Sequence, residues 1–361
     1  MSSTWGRNIK ISIFGQSHSA AVGIVIDGFP AGFKVDMKAL ADFMRRRSPG
    51  RNRLSTSRRE SDEIEFVSGL VGDTLCGVPL CALIKNIDVR PGDYTELYDL
   101  PRPGHADYTA AVKFGGHQDA SGGGHFSGRL TAPLCVAGGI CIQILAARKI
   151  YIASHIEKIA GISDKRFDPV TLSANDFMNL THEPLTVIDP EAGARMVKEI
   201  EAARADGDSV GGVVECAVIG LPAGAGSPMF EGMENKISSL VFGIPAVKGI
   251  EFGSGFDCAN LRGSENNDPF IISEDGLVRT KTNNHGGILG GITTGMPLIF
   301  RVAIKPTPSI AKPQQTVSLS ERRPKELRIT GRHDPCIVPR ALPAIEAAAA
   351  LAVCDSLLTN N

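Results

Sequence analysis

The sequence has no excess of charge of either sign and few of the larger aromatic residues. Lysine and arginine number 38 and aspartate and glutamate 39, so the net charge is −1, and only one tryptophan and four tyrosines occur among 361 residues. A general nucleic-acid or membrane-surface binder needs a net basic field, and binders of single strands use aromatic stacking. The composition therefore disfavours both kinds of binder.

The sequence also lacks paired cysteines, an apolar leader and an apolar run long enough to span a bilayer. Its eight cysteines form no Cys-x-x-Cys pair and are scattered through apolar stretches, which predicts small buried side chains rather than disulfides or a zinc site. The first fifteen residues show no basic start followed by an apolar run. The longest apolar stretch, 132–147, is interrupted by Pro133 and Gln143. We expect a cytoplasmic protein without a metal site.

Two phosphate-binding fingerprints are missing, although glycine is abundant. Neither a P-loop nor a clean Gly-x-Gly-x-x-Gly is present, so a Rossmann dinucleotide site is not supported. The forty glycines cluster instead at 122–124, 286–287 and 290–291. Such clusters indicate places where the backbone must approach something closely.

Four short segments recur in the same order in the two halves of the chain. The paired segments are 24–32 with 216–224, 64–69 with 250–255, 77–80 with 295–298, and 129–133 with 340–343. This order predicts two related strand–helix–strand–strand–helix halves, at about 9–148 and 210–358. The long alanine-rich helices are apolar nearly all round and must be covered on every side. We therefore predict a single α+β domain over residues 1–361, a β–α–β sandwich with an internal pseudo-twofold repeat, in which antiparallel sheets cover two central long helices.

Seven arginines occur within fifteen residues, at positions 45, 46, 47, 51, 53, 58 and 59. Charge runs are usually solvated, and an RNA-binding patch is a second interpretation. Arg47, however, follows Met44 by three residues and Leu40 by seven on a predicted helix, so it faces the core at the helix C-terminus. An inward-facing arginine needs an anion, for which a ligand phosphate or carboxylate is the simplest partner.

Two histidines lie next to turns, where a side chain is well placed to take part in catalysis. His18 ends Gly-Gln-Ser-His directly after a predicted strand, although a histidine that merely caps a turn is an equally good interpretation. His105 lies in Arg-Pro-Gly-His-Ala-Asp at a predicted helix N-terminus, where a bound phosphate dianion would make it a usable proton donor. Asp107 fits the role of an N-terminal cap.

Further donor-rich segments follow along the chain. The segment 121–129 places three glycines before a long helix and can seat a phosphate or oxyanion, with a structural hinge as the alternative. Segments 283–291, 305–309 and 331–335 add glycine backbone, a hydroxyl-rich turn and an Arg/His/Asp group. This density of donors suits a planar heteroaromatic cofactor with a phosphate tail.

Taken together, these motifs resemble those of the chorismate synthases over essentially the whole chain. The matching motifs are Gly-Gln-Ser-His18, Arg-Pro-Gly-His-Ala-Asp107, Asn-Asn-His-Gly-Gly-Ile-Leu-Gly-Gly291, Lys-Pro-Thr-Pro-Ser309 and Gly-Arg-His-Asp-Pro-Cys336. The resemblance implies a homotetramer that binds reduced flavin mononucleotide (FMNH2) and converts 5-enolpyruvylshikimate 3-phosphate to chorismate and phosphate. From the neutral composition we expect no nucleic-acid or membrane partner. Because no appended reductase domain is visible, we expect a separate flavin reductase to supply the reduced flavin, with NADPH acting only indirectly.

The resemblance also assigns roles to individual residues. The expected catalytic residues are His18 and His105, as a proton-transfer pair, and Asp334, which helps the flavin accept the substrate proton. The expected substrate-binding residues are Arg47, Arg53, Ser127, Arg129 and Arg332. The expected flavin-binding residues are His125, Phe126, Ser127, Pro245, Ala246, Gly290, Lys305, Pro306, Thr307, Pro308, Ser309 and Arg332.

The chain departs from the family pattern near these residues. Gln16 stands where the family usually has glutamate, Leu130 where it has an acid, and His125 where an arginine follows the triple glycine. We expect protonated His125 to substitute for that arginine in contacting the flavin or the substrate phosphate. Two other functions stay open at this point: a flavin-dependent oxidoreductase, and an RNA-binding protein that uses the arginines at 45–59.

Overall fold

A computed structural model describes residues 3–50, 54, 62–87, 97–119, 121–329 and 334–358. The first of its two large sheets is antiparallel and has the strand order β1-β2-β3-β7-β4. Its strands are β1 (Thr4–Trp5), β2 (Lys10–Gly15), β3 (Ala21–Asp27), β4 (Glu65–Ser68) and β7 (Leu80–Lys85). A small hairpin joins β5 (Leu70–Val71) to β6 (Thr74–Leu75).

The second large sheet is also antiparallel and has the order β11-β16-β10-β8-β9. Its strands are β8 (Tyr151–Ile159), β9 (Ile162–Ser163), β10 (Gly212–Ile219), β11 (Val247–Phe252) and β16 (Leu298–Ile304). The second half of the chain also contains three two-stranded hairpins: β12 (Phe270–Ile272) with β13 (Val278–Thr280), β14 (Ile288–Leu289) with β15 (Ile292–Thr293), and β17 (Gln314–Ser318) with β18 (Arg323–Leu327).

Helices fill the space between and around the sheets. They are α1 (Met37–Arg47), α2 (Asp107–Phe114), α3 (Thr131–Ala146), α4 (Ala174–Met178), α5 (Pro190–Ala205), α6 (Met233–Val241), α7 (Gly263–Asn266) and α8 (Val338–Leu357). Helices α3 and α8 lie side by side at the centre; α3 packs on β3 and β7, and α8 packs on β8 and β10. The sequence prediction of central apolar helices between two antiparallel sheets is thereby confirmed.

The two sheets have corresponding topologies. The order β2-β3-β7-β4 in the first sheet matches β8-β10-β16-β11 in the second, with α1 and α6, then α3 and α8, at equivalent places along the chain. The four recurring sequence segments fall on these corresponding elements. The exact division at 9–148 and 210–358 stays a prediction.

One described stretch, Gly128–Ala146, is long and apolar enough to cross a membrane, but most of it is buried inside the protein. A core helix of a soluble protein has the same properties. Of the eight cysteines, all free, five are buried, as predicted. The prediction is wrong for Cys76 and Cys258, which are exposed, the first between β6 and β7 and the second in the 3-10 helix Gly255–Asn260.

The crossing of α3 and α8 depends on Gly138, and we expect Gly138→Ala to lower the free energy of unfolding. A Cβ at this position would lie 2.2 Å from the Cβ of Ala347 and 2.3 Å from its Cα, so the helices would have to separate. Such overpacking costs about 1–3 kcal/mol, more than the helix propensity gained. Denaturant unfolding measures the change.

The matched control is Gly263→Ala in α7, where an added Cβ would meet nothing within 4 Å. The substitution there also restricts the unfolded chain, but without the collision. Equal stability changes in the two variants would show that the central helices do not need this close approach.

Candidate active site

The triple-glycine segment 122–124 lies between His18 and His105. A Cβ at Gly122 would lie 2.1 Å from His18 Cε1, and one at Gly123 would lie 3.4 Å from His105 Nε2. The two glycines have φ angles of +66° and +137°, which other residues rarely adopt. The close backbone approach that the glycine cluster predicts is therefore made to two histidines from different parts of the chain.

The turn that holds His18 is hydrogen-bonded to this glycine segment. The Ser17 amide donates to the Gly124 carbonyl (3.1 Å), and the Ser17 hydroxyl donates to the Ser121 carbonyl (3.0 Å). His18 Nδ1 lies 2.9 Å from the same hydroxyl oxygen. Because the single hydroxyl proton goes to Ser121, His18 carries its proton on Nδ1 and donates it to Ser17.

His105 belongs to a buried cluster with Arg102 and Asp107. His105 Nδ1 lies 2.5 Å from Asp107 Oδ1, while the Arg102 Nε and backbone N–H donate to Oδ2 and the Arg102 Nη2 donates to Oδ1. Burial would raise the pKa of Asp107, but hydrogen bonds from Arg102 and His105 and the charge of Arg102 lower this pKa well below its usual range. Asp107 is therefore ionised.

The capping role predicted for Asp107 is wrong. Asp107 is the first residue of α2 and follows the cap position, Ala106, which makes no side-chain capping bond. Its carboxylate is directed to Arg102 and His105 because these donors are charged or polar and buried beside it. The sequence analysis also missed Arg102, whose position directly before a Pro-Gly turn gave no sign of its contacts.

The cluster is joined to the segment 305–309. The Arg102 Nη1 donates to Ser309 Oγ (3.2 Å), and a Cβ at Gly104 would lie 3.5 Å from Pro308 Cβ. Lys305 N in turn donates to the Ala246 carbonyl (3.0 Å), which brings the segment 245–246 to the same edge. Ser309 and Pro308 thus lie beside Arg102 and Gly104, in the turn that carries His105, and Lys305 links this segment to Ala246.

This edge has donors that suit a flavin. Burial and the nearby charge of Lys248 lower the pKa of Lys305, and neither lysine has a carboxylate within ion-pairing distance in the described part of the chain. Thr307 Oγ1 is buried without a hydrogen-bond partner among the described residues. A bound anion and a polar ring edge would supply the missing partners. The residues present therefore fit a flavin.

Arg47 and Arg129 share one buried carboxylate, that of Asp62. The Arg47 Nε and Nη2 lie 2.9 and 2.7 Å from Asp62 Oδ2, and Ser48 Oγ donates to the same oxygen (2.8 Å). Arg129 Nη1 pairs with Oδ1. Burial would raise the pKa of Asp62, but the charges of Arg47 and Arg129 lower it. All three side chains are almost completely buried.

The inward direction of Arg47 is as predicted, and its guanidinium pairs with Asp62 of the same chain; its role in binding a substrate anion stays a prediction. Sequence reasoning missed Asp62 because it found no acidic segment to match the arginines. The signal was present, since 60–65 reads Glu-Ser-Asp-Glu-Ile-Glu at the far end of the arginine-rich stretch. Arg129 also donates to Asn86 Oδ1 (2.9 Å) and the Lys85 carbonyl (3.1 Å), and its amide donates to Ser127 Oγ (3.2 Å).

Asp334 lies near the end of α1. Its Oδ2 accepts from Arg340 Nη1 (2.5 Å), and the Arg340 Nε donates to the backbone carbonyl of Arg47 (3.1 Å). The start of α8 is therefore tied to the C-terminus of α1. Two predicted substrate-binding residues, Arg53 and Arg332, lie outside the described residues.

His125 and Phe126 are exposed at the rim of the glycine segment. The His125 Nδ1 donates to the Gly15 carbonyl (2.8 Å), and Nε2 lies 2.8 Å from Ser3 Oγ. Contact with an anion would require one of these bonds to break, and the substitution of His125 for an arginine stays a prediction. Phe126 faces Phe114 with ring centroids 6.4 Å apart.

Polar groups of the segment 283–291 are engaged with the backbone of the protein itself. Asn283 Nδ2 donates to two carbonyls, those of Pro169 and Pro297, and its Oδ1 accepts from the Gly287 amide. That amide also lies 2.9 Å from His285 Nδ1, and burial lowers the pKa of His285. Gly290 is exposed in the β14–β15 hairpin, and within the described residues no hydrogen bond joins it to either histidine. Its role in flavin binding stays a prediction.

Comparison with known proteins defines the class of this one. A profile of the chorismate synthase family matches residues 9–358. Proteins named chorismate synthase from Lancefieldella parvula, Thermococcus gammatolerans and Pyrococcus abyssi are 46, 48 and 47 % identical, over 98–99 % of this chain and 96–97 % of their own lengths. A crystal structure of chorismate synthase shares the fold, with a TM-score of 0.76 and 24 % identity over 98 % of this chain and 93 % of that one.

The chain is therefore an enzyme, a carbon–oxygen lyase that depends on a flavin. It belongs to the chorismate synthase family. The match also disfavours the two alternative functions, a flavin-dependent oxidoreductase and an RNA-binding protein that uses the arginines at 45–59.

Proposed function

We propose that the chain catalyses the 1,4-anti elimination of phosphate from 5-enolpyruvylshikimate 3-phosphate to give chorismate, the last step of the shikimate pathway. The observation that supports it most directly is the pair of histidines on either side of the glycine segment, beside the cationic edge at Lys305. The substrate is polyanionic, and these cations and backbone amides suit it.

The reaction breaks a carbon–oxygen bond to phosphate and removes a proton across an allylic system. That C–H is not adjacent to a carbonyl, so a general base alone would face a very weak acid. Reduced FMN, when bound, supplies electron density to the allylic system and recovers it, with no net redox change. The chain's own task is to hold the substrate anions, exclude water and move protons.

We assign the proton transfers to the two histidines. His105 Nε2 faces Gly123 and is assigned to protonate the leaving phosphate, and His18, which faces Gly122, is assigned to the proton transfer near the flavin. Arg47, Arg129 and Ser127, with Arg53 and Arg332, are assigned to the substrate anions. Asp334 is assigned to the proton that the flavin receives.

Three groups of residues are assigned to the flavin. The first is joined at Lys305 and comprises Pro245, Ala246 and Lys305 to Ser309. The second, from the rim, is His125, Phe126 and Ser127, and the third is Gly290 together with Arg332, which lies outside the described residues. The proposal includes a cytoplasmic homotetramer, no nucleic-acid or membrane partner, and a separate reductase that supplies reduced FMN, with NADPH acting only through it.

An anaerobic assay tests the proposed function. With FMN reduced by dithionite, the protein should release phosphate from 5-enolpyruvylshikimate 3-phosphate over many turnovers while the flavin stays reduced. Oxidised FMN, or NADPH without a reductase, should support no release. Flavin oxidation in proportion to product would identify an oxidoreductase instead, and absence of flavin binding would contradict the proposal.

A further inference from the structure

The cluster at the start of α2 contains a carboxylate and an arginine to which the proposed function gives no role. We propose that Asp107, held by Arg102, is a positioning residue: it accepts the Nδ1 proton of His105 and so keeps Nε2 as the nitrogen that transfers protons at the glycine segment. The inference rests on the proposed function, because it concerns the histidine that acts there.

The distance between His105 Nδ1 and Asp107 Oδ1 decides where the proton lies. At 2.5 Å, an unprotonated nitrogen and an ionised carboxylate oxygen would place two lone pairs in contact. A proton must therefore lie between them. Asp107 is ionised, so the proton belongs to Nδ1, and His105 donates it.

Arg102 holds the Asp107 carboxylate in place, so that His105 is the donor and Asp107 the acceptor in the bond between them. Its Nε donates to Oδ2 at 2.7 Å, its backbone N–H donates to the same oxygen at 3.0 Å, and its Nη2 donates to Oδ1 at 2.8 Å. The Arg102 side chain is only 1 % exposed and that of Asp107 6 %. Both oxygens are occupied, and the carboxylate cannot rotate without breaking bonds to a buried cation.

The second ring nitrogen of His105, Nε2, is directed at the glycine segment. Nε2 lies 3.4 Å from the position of a Cβ on Gly123, and within the described part of the chain it has no hydrogen-bond partner. With Nδ1 committed to Asp107, Nε2 accepts a proton in the neutral ring and donates one in the protonated ring. This is the arrangement that a proton donor to a departing phosphate requires.

The geometry also predicts what happens when the carboxylate is removed. Arg102 Nη2 lies 3.0 Å from His105 Nδ1 and can only donate. Without Asp107, Arg102 becomes the nearest partner of Nδ1, which must then accept. The proton moves to Nε2, and the neutral ring presents a donor where the wild type presents an acceptor.

Nitrogen-15 NMR of protein labelled at histidine measures this tautomer directly, with the His105 signals assigned by their loss in His105→Asn. We expect Nδ1–H in the wild type and Nε2–H in Asp107→Ala, with turnover reduced by about two orders of magnitude or more, as for other histidines forced into the wrong tautomer. An Nε2–H tautomer in the wild type would overturn the proposal, even if Asp107→Ala does not fold. An unchanged tautomer in folded Asp107→Ala would overturn it as well.

Asp355→Asn is the matched control for loss of stability. Asp355 is an equally buried carboxylate at a helix end, where it accepts from the Asn8 and Ile9 amides and pairs with Lys236. The control should lose stability but keep Nδ1–H in His105. A changed tautomer in this control would show that destabilisation alone moves the proton and would count against positioning by Asp107.

The same measurements separate this inference from the proposed function. Normal turnover in His105→Ala, with the expected tautomers, contradicts the role of His105 in catalysis while the hydrogen-bond assignment stands. Phosphate release that depends on His105, with Nε2–H in the wild type, supports the function and rejects positioning by Asp107.

Discussion

Replacing His105 with alanine is expected to lower the turnover number by about two to four orders of magnitude, which is the usual contribution of general acid–base catalysis. The physical reason is the position of Nε2 at the glycine segment, where no other described side chain of the Arg102 cluster can donate a proton in its place. Flavin binding should be retained, because His105 contacts the flavin-binding segment only through Arg102. Flavin titration and single-turnover phosphate release measure the two effects separately.

The matched control is His117→Ala, which removes an exposed histidine just beyond the same helix. Its turnover should equal that of the wild type. If His105→Ala retained near-normal turnover, His105 would be a residue of the turn, and another group would have to protonate the leaving phosphate.

Removing the carboxylate of Asp62 is expected to produce the largest loss of stability. Asp62→Ala leaves Arg47 and Arg129 buried next to each other without their shared counter-ion. Breaking a buried ion pair in this way costs about 3–5 kcal/mol, because an uncompensated charge stays in the interior. Chemical denaturation of the variant and the wild type gives the difference in the free energy of unfolding.

Asp42→Ala provides the comparison, since Asp42 pairs with Lys38 and Arg45 at the exposed face of the same helix. Surface pairs of this kind change stability by at most about 1 kcal/mol. Equal losses in the two variants would show that the arginines find other partners when Asp62 is gone.

The Asp62 cluster also predicts how stability depends on pH. The folded-state pKa of Asp62 is below its ordinary value, so its contribution is complete above the unfolded pKa of about 3.9 and is lost as the pH falls through the folded value. The wild type should therefore lose stability on acidification below about pH 4 more steeply than Asp62→Ala. Parallel curves would contradict the assigned pKa direction.

Patterns that are local in sequence predicted the fold well. The apolar character of α3 and α8 required cover on all sides, and the recurring segments predicted two sheets of the same topology. The inward direction of Arg47 followed from helical periodicity, which involves only neighbouring turns. Each of these predictions depends on residues that are close along the chain.

The partners of the site residues could not be predicted in the same way. Arg102 meets Ser309 across more than two hundred residues, and Arg129 meets Asp62 across 67 residues. Whether the Asn283 side chain binds a ligand or the protein's own backbone depends on the carbonyls of Pro169 and Pro297, which no motif specifies. The motifs identified which residues could bind a ligand or transfer a proton. Only the folded chain shows which of their donors already have hydrogen-bond partners in the protein.

The contact between α3 and α8 has a consequence for how the molecule could have arisen. Gly138 and Ala347 allow the two helices to approach within side-chain contact, so each half buries its central helix against the other half. A free half-length chain would be stable only when paired with a second copy, and its folding would depend on concentration. Covalent linkage of the two halves removes that dependence, because a single polypeptide keeps its core at any dilution. The two halves can then also carry different functional residues.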